Sequence, residues 1–387
     1  MKTRGKLYLS IFLIPLLGGI AARLLRVVIA FFLRDLGATV FEISILASVF
    51  MLTRGIFSPI VGRIADRGAS RILIVLVGFA GLCIDSLLYP HVPYFLMILL
   101  RGMDGFYGAM VWPTMQAFVH FSSPKHLRGR LMSSYYIMGG LGGSVGYILY
   151  NALLGNVKNA VITVAVFYFL GGVLSLHFKD LKGDEIKEVK ETKRAGIPLY
   201  TLSFLYGMLF ALGSEVLLFY LAEIMTLGRE LTTLLLSVAS MLSLLGTFLV
   251  GHVSDRKSFS HALWLLSIFT LLAGFLIMVD NRIVAIFGTI LFFIGGRGFL
   301  PISRSFAAST TKNVGTSIGF LNLTSNIGSV ISPLMGGALL DYFRYSHVFI
   351  FNLSALLFFL LSLAILGNTY LLYYRESHSL SEKLNHR

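Results

Sequence analysis

The chain has 387 residues, of which 56% are hydrophobic and 13% are charged. Soluble domains average about 45 to 50% apolar and about 25% charged residues, so this composition excludes a soluble globular protein. In a soluble protein a net charge of +14 would indicate binding to nucleic acid. In a membrane protein its interpretation depends on where the basic residues lie along the chain. The single cysteine, Cys83, excludes a disulfide framework and a cysteine-rich metal site.

Long apolar stretches separated by short polar clusters predict twelve membrane-spanning helices. Continuous apolar runs of this length suit helices, because the strands of a membrane barrel are short and alternate in polarity. We therefore expect an all-α integral membrane protein. The predicted spans lie near residues 7–33, 42–65, 72–90, 94–120, 131–155, 158–178, 198–222, 231–252, 261–280, 283–309, 315–340 and 346–370.

The basic residues predict the orientation of these spans, because cytoplasmic loops are enriched in lysine and arginine. With the N-terminus inside, 22 of the 32 basic residues fall in the tails and the even-numbered connections, and five fall outside. Both termini are thus predicted to be cytoplasmic, in the cell membrane, and the positive balance requires no nucleic-acid partner. The first span could resemble a signal peptide, but Arg23 and Arg26 continue into another apolar run.

One long polar stretch divides the predicted spans into two sets of six. Residues 179–196 carry six basic and five acidic side chains, which indicates a solvated segment. We predict an N-terminal six-helix bundle at 1–178, a cytoplasmic linker at 179–197, a C-terminal six-helix bundle at 198–370 and a cytoplasmic tail at 371–387.

Three sequence elements recur at nearly the same spacing in the two halves. The offsets are 189 residues for a G-x-x-x-D-R element, 188 for a proline and 185 for Gly-Ser-Val. A near-constant offset predicts a parallel duplication of six helices. The recurring pairs are Gly62–Arg67 with Gly251–Arg256, Pro113 with Pro301, and Gly143–Val145 with Gly328–Val330.

With these elements the chain resembles the major facilitator superfamily over essentially its whole length. That family carries G-x-x-x-D-R-x-G-x-[RK] between its second and third helices, and here Ala69 takes the place of the second glycine, with Gly68 before it. The resemblance implies a conformational latch, a charge relay between helix ends that holds one transport state. Simple anchoring by positive charge is the alternative. The latch residues are Gly62, Asp66, Arg67, Arg71, Gly251, Asp255 and Arg256.

The fourth span resembles the R-x-x-x-G-x-G element of the family's proton-coupled exporters. Arg101 and Gly105 match, whereas Tyr107 replaces the second glycine. The glycine-rich fifth and eleventh spans resemble the family's antiporter element, although the fifth lacks its proline. These features suggest an exporter, and helix packing is the alternative role for the glycines.

Eight charged residues fall within the predicted spans, where a charge is costly and usually faces a partner or a watery cavity. The resemblance implies that spans one, four, seven and ten line the central cavity, and six of the eight charges lie there. Asp85, near one end of the third span, is interpreted as an interfacial or packing charge. The eight are Arg23, Arg26, Arg54, Asp85, Arg101, Asp104, Glu215 and Arg297.

The embedded charges predict a substrate class and a coupling group. Arginine's planar fork suits carboxylates and phosphates, so an anionic substrate is favoured, with structural ion pairs as the alternative. A carboxylate that alternates between an apolar site and an arginine can exchange a proton, which makes Asp104 and Glu215 the predicted proton-coupling residues. The predicted substrate-binding residues are Arg23, Arg26, Arg101, Glu215 and Arg297.

The sequence therefore predicts a secondary transporter that moves a small organic solute by alternating access and is coupled to protons. The family resemblance implies a monomer in the lipid bilayer. We expect no cofactor, no metal and no catalytic residues, since enzyme and nucleotide-binding motifs are missing. An exporter of lipophilic cations or drugs in exchange for protons is the alternative, and an uncoupled facilitator or a lipid flippase is also open. From a different class, a non-transporting receptor or assembly factor could share the scaffold.

Overall fold

The structure is a computed structural model that describes residues 2–122, 128–153, 155–178, 197–310 and 314–385. The described residues are almost entirely α-helical, which confirms the predicted fold class. Residues 179–196 of the predicted linker lie outside the described ranges. The helices of the first half are α1 (Lys2–Asp35), α2 (Val40–Asp66), α3 (Arg71–Leu88), α4 (Tyr94–Ser122), α5 (Arg128–Ala152) and α6 (Val157–Ser175), with a 3-10 turn at Tyr89–His91.

The second half has seven described α-helices, because its first span is divided in two. They are α7 (Ile197–Leu212), α8 (Glu215–Phe219), α9 (Gly228–Arg256), α10 (Phe259–Met278), α11 (Arg282–Thr310), α12 (Val314–Tyr342) and α13 (Leu356–Asn385). Eleven segments of the described chain are long and apolar enough to cross a membrane. They coincide with eleven of the twelve predicted spans, and the fifth predicted span is the glycine- and serine-rich helix α5.

The seventh span departs from the continuous helix predicted at 198–222. α7 ends at Leu212, and α8 begins at Glu215 and passes into a π-helical turn at Tyr220–Ile224. A Cβ atom on Gly213, in the interruption, would lie 2.6 Å from the ring of Phe292 on α11. Broken helices occur within membrane proteins where the surrounding protein buries the irregular backbone. Residues 211–220 are all buried, so neighbouring helices pack around the break and stabilise it. The apolar composition of the span gave no sign of the break.

The twelfth span also begins later than predicted. Two short antiparallel strands, β1 (His347–Val348) and β2 (Phe351–Asn352), form a hairpin that precedes α13. The backbone N–H of Asp280, just after α10, donates a hydrogen bond to the carbonyl of Ile350 at 2.7 Å. This hairpin is a small correction to the all-helical expectation.

The chain divides into two compact units. The first unit comprises Met1–Lys187 and Thr233–Met241, and the second comprises Glu188–Thr232 and Leu242–Arg387. Within the first unit, Ser144 on α5 shares a hydroxyl–hydroxyl hydrogen bond of 2.8 Å with Ser240 on α9.

Each unit contains a seam where glycines let two helix backbones touch. In the first unit, a Cβ atom on Gly142 of α5 would collide with the backbone oxygen of Leu16 on α1. In the second unit, a Cβ atom on Gly328 of α12 would collide with the backbone oxygen of Phe204 on α7. Close backbone approach through small residues is a common way to join helices in membranes. We call these contacts the α1–α5 seam and the α7–α12 seam.

Candidate transport sites in the two units

A buried polar cluster joins α4 to the end of α3 in the first unit. Arg101 Nη1 lies 2.9 Å from Asp104 Oδ2, and these side chains are only 7% and 1% exposed. The hydroxyl of Tyr89, in the turn after α3, donates to the same carboxylate oxygen at 2.6 Å. The guanidinium of Arg101 also lies 4.7 Å from the ring centre of Phe50 on α2. One oxygen of the Asp104 carboxylate therefore accepts hydrogen bonds from two donors.

Tight helix packing places the two charged residues of α4. Gly105 lies where α4 crosses α2, because a Cβ atom there would collide with Thr53 and would come within 2.5 Å of the backbone oxygen of Phe50. On the α3 side, the ring of Tyr107 occupies the space that a side chain at Gly81 would fill. The tyrosine that replaces the second glycine of the exporter element is thus accommodated by a glycine on the neighbouring helix.

Arg23 binds across the α1–α5 seam. Its Nη1 atom donates a hydrogen bond of 3.0 Å to the hydroxyl of Tyr147 on α5, and its guanidinium lies 4.9 Å from that ring centre. Gly146, one residue earlier on α5, leaves room for the stem of the arginine, because a Cβ atom there would lie 2.8 Å from Arg23 Cβ. Arg26, one turn further along α1, is half-buried like Arg23.

The predicted residues of the second unit lie on two different helices. Glu215 is the first residue of α8, directly after the break in the seventh span, and is 3% exposed. Arg297 lies on α11, where its Nη1 donates to the hydroxyl of Ser243 on α9 at 3.2 Å and its guanidinium lies 5.5 Å from the ring centre of Phe293. Arg297 is half-buried, so part of its side chain is accessible.

The first latch element occupies the tight connection between α2 and α3. Gly68 has a φ of +99°, a left-handed conformation that favours glycine, which explains why glycine is found at 68 and not at 69. Arg67 caps the C-terminus of α2 and is exposed, whereas Arg71 begins α3 and is only 7% exposed. The side chain of Asp66 is outside the described set.

The second latch element lies at the end of α9. Arg256 is the last residue of α9 and is exposed, while the side chain of Asp255 is outside the described set. Cβ atoms on Gly62 and Gly251 would meet no described atom within 4 Å. Packing among the described residues therefore does not explain the two glycines of the repeated element.

Sequence reasoning missed several partners in these clusters. Tyr89 was not singled out, although a short turn between antiparallel α3 and α4 could have indicated that it lies beside Asp104. Tyr147 and Ser243 likewise have no sequence signal of their own, since hydroxyl residues are common in spans. Asp85 is 2% exposed, which agrees with the packing charge of the two alternatives and not with the interfacial one. Among the described residues, no group of three or more histidine, cysteine or acidic side chains could hold a metal ion.

The family model described as Major Facilitator Superfamily matches residues 11–279 and, in a second overlapping alignment, residues 199–383. The chain belongs to this family. It is accordingly a multi-pass membrane transporter and not an enzyme, with two pseudo-symmetric bundles of six spans.

Two curated relatives within the Major Facilitator Superfamily carry informative names. The chain is 30% identical over 146 residues to the Quinolone resistance protein NorA of Staphylococcus aureus, covering 35% of this chain and 36% of that one. The match therefore spans only about a third of the length of that relative. The chain is also 25% identical over 324 residues to Multidrug resistance protein 1 of Bacillus subtilis (strain 168), covering 76% of this chain and 80% of that one.

Solved transporter structures share the fold at low sequence identity. A POT family transporter in complex with 5-aminolevulinic acid has a TM-score of 0.78 at 16% identity, covering 96% of each chain. The nucleoside transporter NupG has a TM-score of 0.70 at 11% identity, covering 94% of this chain and 97% of that one. These likenesses establish the fold, and they leave the solute to be argued from the residues of this chain.

Proposed function

We propose that this transporter couples the movement of a small organic solute to protons, with Asp104 as the coupling group. The observation that carries the proposal is the arrangement on one buried oxygen, Asp104 Oδ2, which accepts from both Arg101 and Tyr89. An ionisable side chain within a membrane span is costly and commonly belongs to a proton or substrate pathway.

The ion pair supplies a simple coupling step. While Asp104 is ionised, it neutralises Arg101 and fixes the guanidinium. When a proton binds the carboxylate, the positive charge of Arg101 is no longer balanced by this partner and becomes available to a solute or to water. Release of the proton on the other side restores the pair, so one proton can be exchanged in each cycle of alternating access.

We propose that the solute carries an acidic group. Arg297 and Arg23 are half-buried, and their contacts include a serine hydroxyl and a phenyl ring in one case and a tyrosine in the other. A guanidinium presents a planar fork of donors that suits a carboxylate or phosphate. Arg26 and Glu215 complete the proposed substrate-binding set, and Glu215 is a second candidate for proton coupling.

Export of drug-like compounds is a second candidate, favoured by the names of the quinolone and multidrug resistance relatives. In that case Glu215 and Asp104 would attract a cationic solute, and the arginines would be structural. Both candidates place both termini in the cytoplasm and assign the conformational latch to the two repeated loops. The two candidates differ in the charge of the solute.

A thermal-shift screen of the detergent-purified protein separates these candidates, because a ligand that binds only the folded state raises its melting temperature. The library is sorted into small anions, lipophilic cations and neutral solutes. If the transporter prefers acidic solutes, anions stabilise the wild type and Arg297→Ala loses the shift, while the exposed-arginine control Arg229→Ala keeps it. Stabilisation by lipophilic cations that is lost in Asp104→Asn would replace the anion proposal with drug export.

A further inference from the structure

The packing of α3 on α4 brings Asp85 to the level of Asp104. The two helices run antiparallel, and their contacts fix the register: a Cβ atom on Gly78 would meet Val111, and one on Gly81 would meet Tyr107. One further turn along α3 brings Asp85 to the level of Asp104, and the next brings Tyr89, which bonds to Asp104.

Both carboxyl groups have an oxygen that is buried and lacks a hydrogen-bond donor among the described residues. These oxygens are Asp85 Oδ2 and Asp104 Oδ1, and their residues are 2% and 1% exposed. A buried ionised oxygen without a donor carries the full cost of its lost hydration. One proton bound by the pair protonates one of these carboxyl groups and removes one of the two buried negative charges.

The charges around the pair favour the same arrangement. Arg101 lies against Asp104 and supplies one positive charge to the pair. Two ionised carboxylates would therefore leave an excess negative charge at membrane depth, whereas one bound proton makes the cluster neutral. Tyr89, Tyr107 and Tyr168 on α6 are the tyrosines near the pair, and Tyr168 also interacts with Arg26 and Arg54.

We infer that Asp85 and Asp104 share a single proton between α3 and α4, and that Asp85 is the second proton-binding residue of this transporter. This inference rests on the proposed coupling role of Asp104 and extends it to a residue on another helix. In uptake, one carboxylate oxygen gains a proton and forms an O–H bond, and the other oxygen accepts a hydrogen bond from it. In release, the proton leaves to water and the two ionised carboxylates repel each other.

Infrared spectroscopy of the full chain in lipid vesicles tests this inference, because a protonated carboxyl group has a carbonyl stretching band that a carboxylate lacks. At neutral pH an exposed carboxyl group is ionised, so such a band reports a buried protonated acid. Spectra are recorded for the wild type, Asp85→Asn, Asp104→Asn and a matched control, Asp35→Asn, which removes the exposed acid at the end of α1. Asp85→Glu keeps an acid at the same position and guards against a change in folding.

The inference predicts that the wild-type band is lost in both Asp85→Asn and Asp104→Asn, is retained in the control and is shifted but present in Asp85→Glu. A band that persists in Asp85→Asn and disappears in Asp104→Asn would overturn the sharing and leave the coupling role of Asp104 intact. A band that persists in both variants would belong to another buried acid, such as Glu215, and would overturn the sharing. A wild-type band that appears only when sodium is replaced by choline would show that the pair binds a sodium ion instead.

Discussion

Both units join two of their helices through close glycine contacts, but the buried charged residues differ between the units. In the α1–α5 seam, a Cβ atom on Gly19 or Gly142 would strike the backbone of the partner helix. In the α7–α12 seam, Gly207 and Gly328 occupy the corresponding places and make the same kind of contact. The seams repeat because a duplicated fold must keep its closest backbone approaches, and glycine alone permits them.

The buried charges do not repeat in this way. At the 188-residue spacing of the repeated prolines, Arg101 corresponds to Thr289 and Asp104 to Phe292. The hydroxyl of Thr289 donates a hydrogen bond to the carbonyl of Ala285 within its own helix, and Phe292 packs near Gly213. The comparison teaches that the glycines maintain the scaffold in both units, whereas the charged cluster belongs to the first unit alone, where we propose its coupling role.

The largest difference between the units is expected from removing one member of the charged cluster. Arg101→Ala leaves Asp104 buried without its ionic partner, and breaking a buried pair from one side costs about 3 to 5 kcal/mol. Thr289→Ala, at the corresponding place, removes one local hydrogen bond and should cost about 1 kcal/mol. Melting temperatures of the two purified variants in the same detergent compare them, and equal losses would remove the asymmetry between the units.

The seams should respond alike when a methyl group is added. Gly142→Ala and Gly328→Ala each force a Cβ atom into a backbone oxygen, and overpacking of this kind costs about 1 to 3 kcal/mol. Gly62→Ala is the matched control, because a Cβ atom there meets no described atom within 4 Å. The fraction of monodisperse protein after mild heating gives the measure. If one of the two seam variants loses monodisperse protein and the other does not, the two seams are not equivalent.

Arg297 should affect solute binding more than stability. Arg297→Gln keeps a donor for Ser243 but loses the positive charge, and a hydrogen bond to a charged group is worth about 1.5 to 3 kcal/mol. We expect acidic solutes to bind at least about tenfold more weakly while the melting temperature without solute changes little. Equilibrium binding with a labelled anion provides the test, and unchanged affinity would remove Arg297 from the site.

Tyr147 is expected to give the smallest effect. Tyr147→Phe removes the hydroxyl that accepts from Arg23 and keeps the ring beneath the guanidinium. The cost should be about 0.5 to 1.5 kcal/mol of unfolding free energy, since one hydrogen bond is lost while the packing stays. If Arg23 contacts the solute, Tyr147→Phe should also change the affinity for the solute. A change in stability alone would show that the Arg23–Tyr147 pair only joins α1 to α5.

Sequence reasoning reached the spans, the duplication and the residues of the first-unit ion pair. It succeeded because the apolar length of a span and the one-turn spacing of Arg101 and Asp104 are local properties of the chain. The break before Glu215 and the hairpin at His347–Asn352 were missed, because both depend on packing from distant segments. Asp85 was interpreted as an interfacial or packing charge, and its burial agrees with packing. Its level relative to Asp104 follows from the register of α3 on α4, which no local pattern records.

Transport by vesicles containing the purified protein tests the coupling role of Asp104 most directly. A pH gradient is imposed across the membrane, and accumulation of a solute found by the binding screen is measured beside solute exchange at equal pH. The account predicts that Asp104→Asn abolishes gradient-driven accumulation and preserves exchange, while Asp35→Asn behaves like the wild type. Accumulation by Asp104→Asn at the wild-type level would contradict proton coupling through this residue.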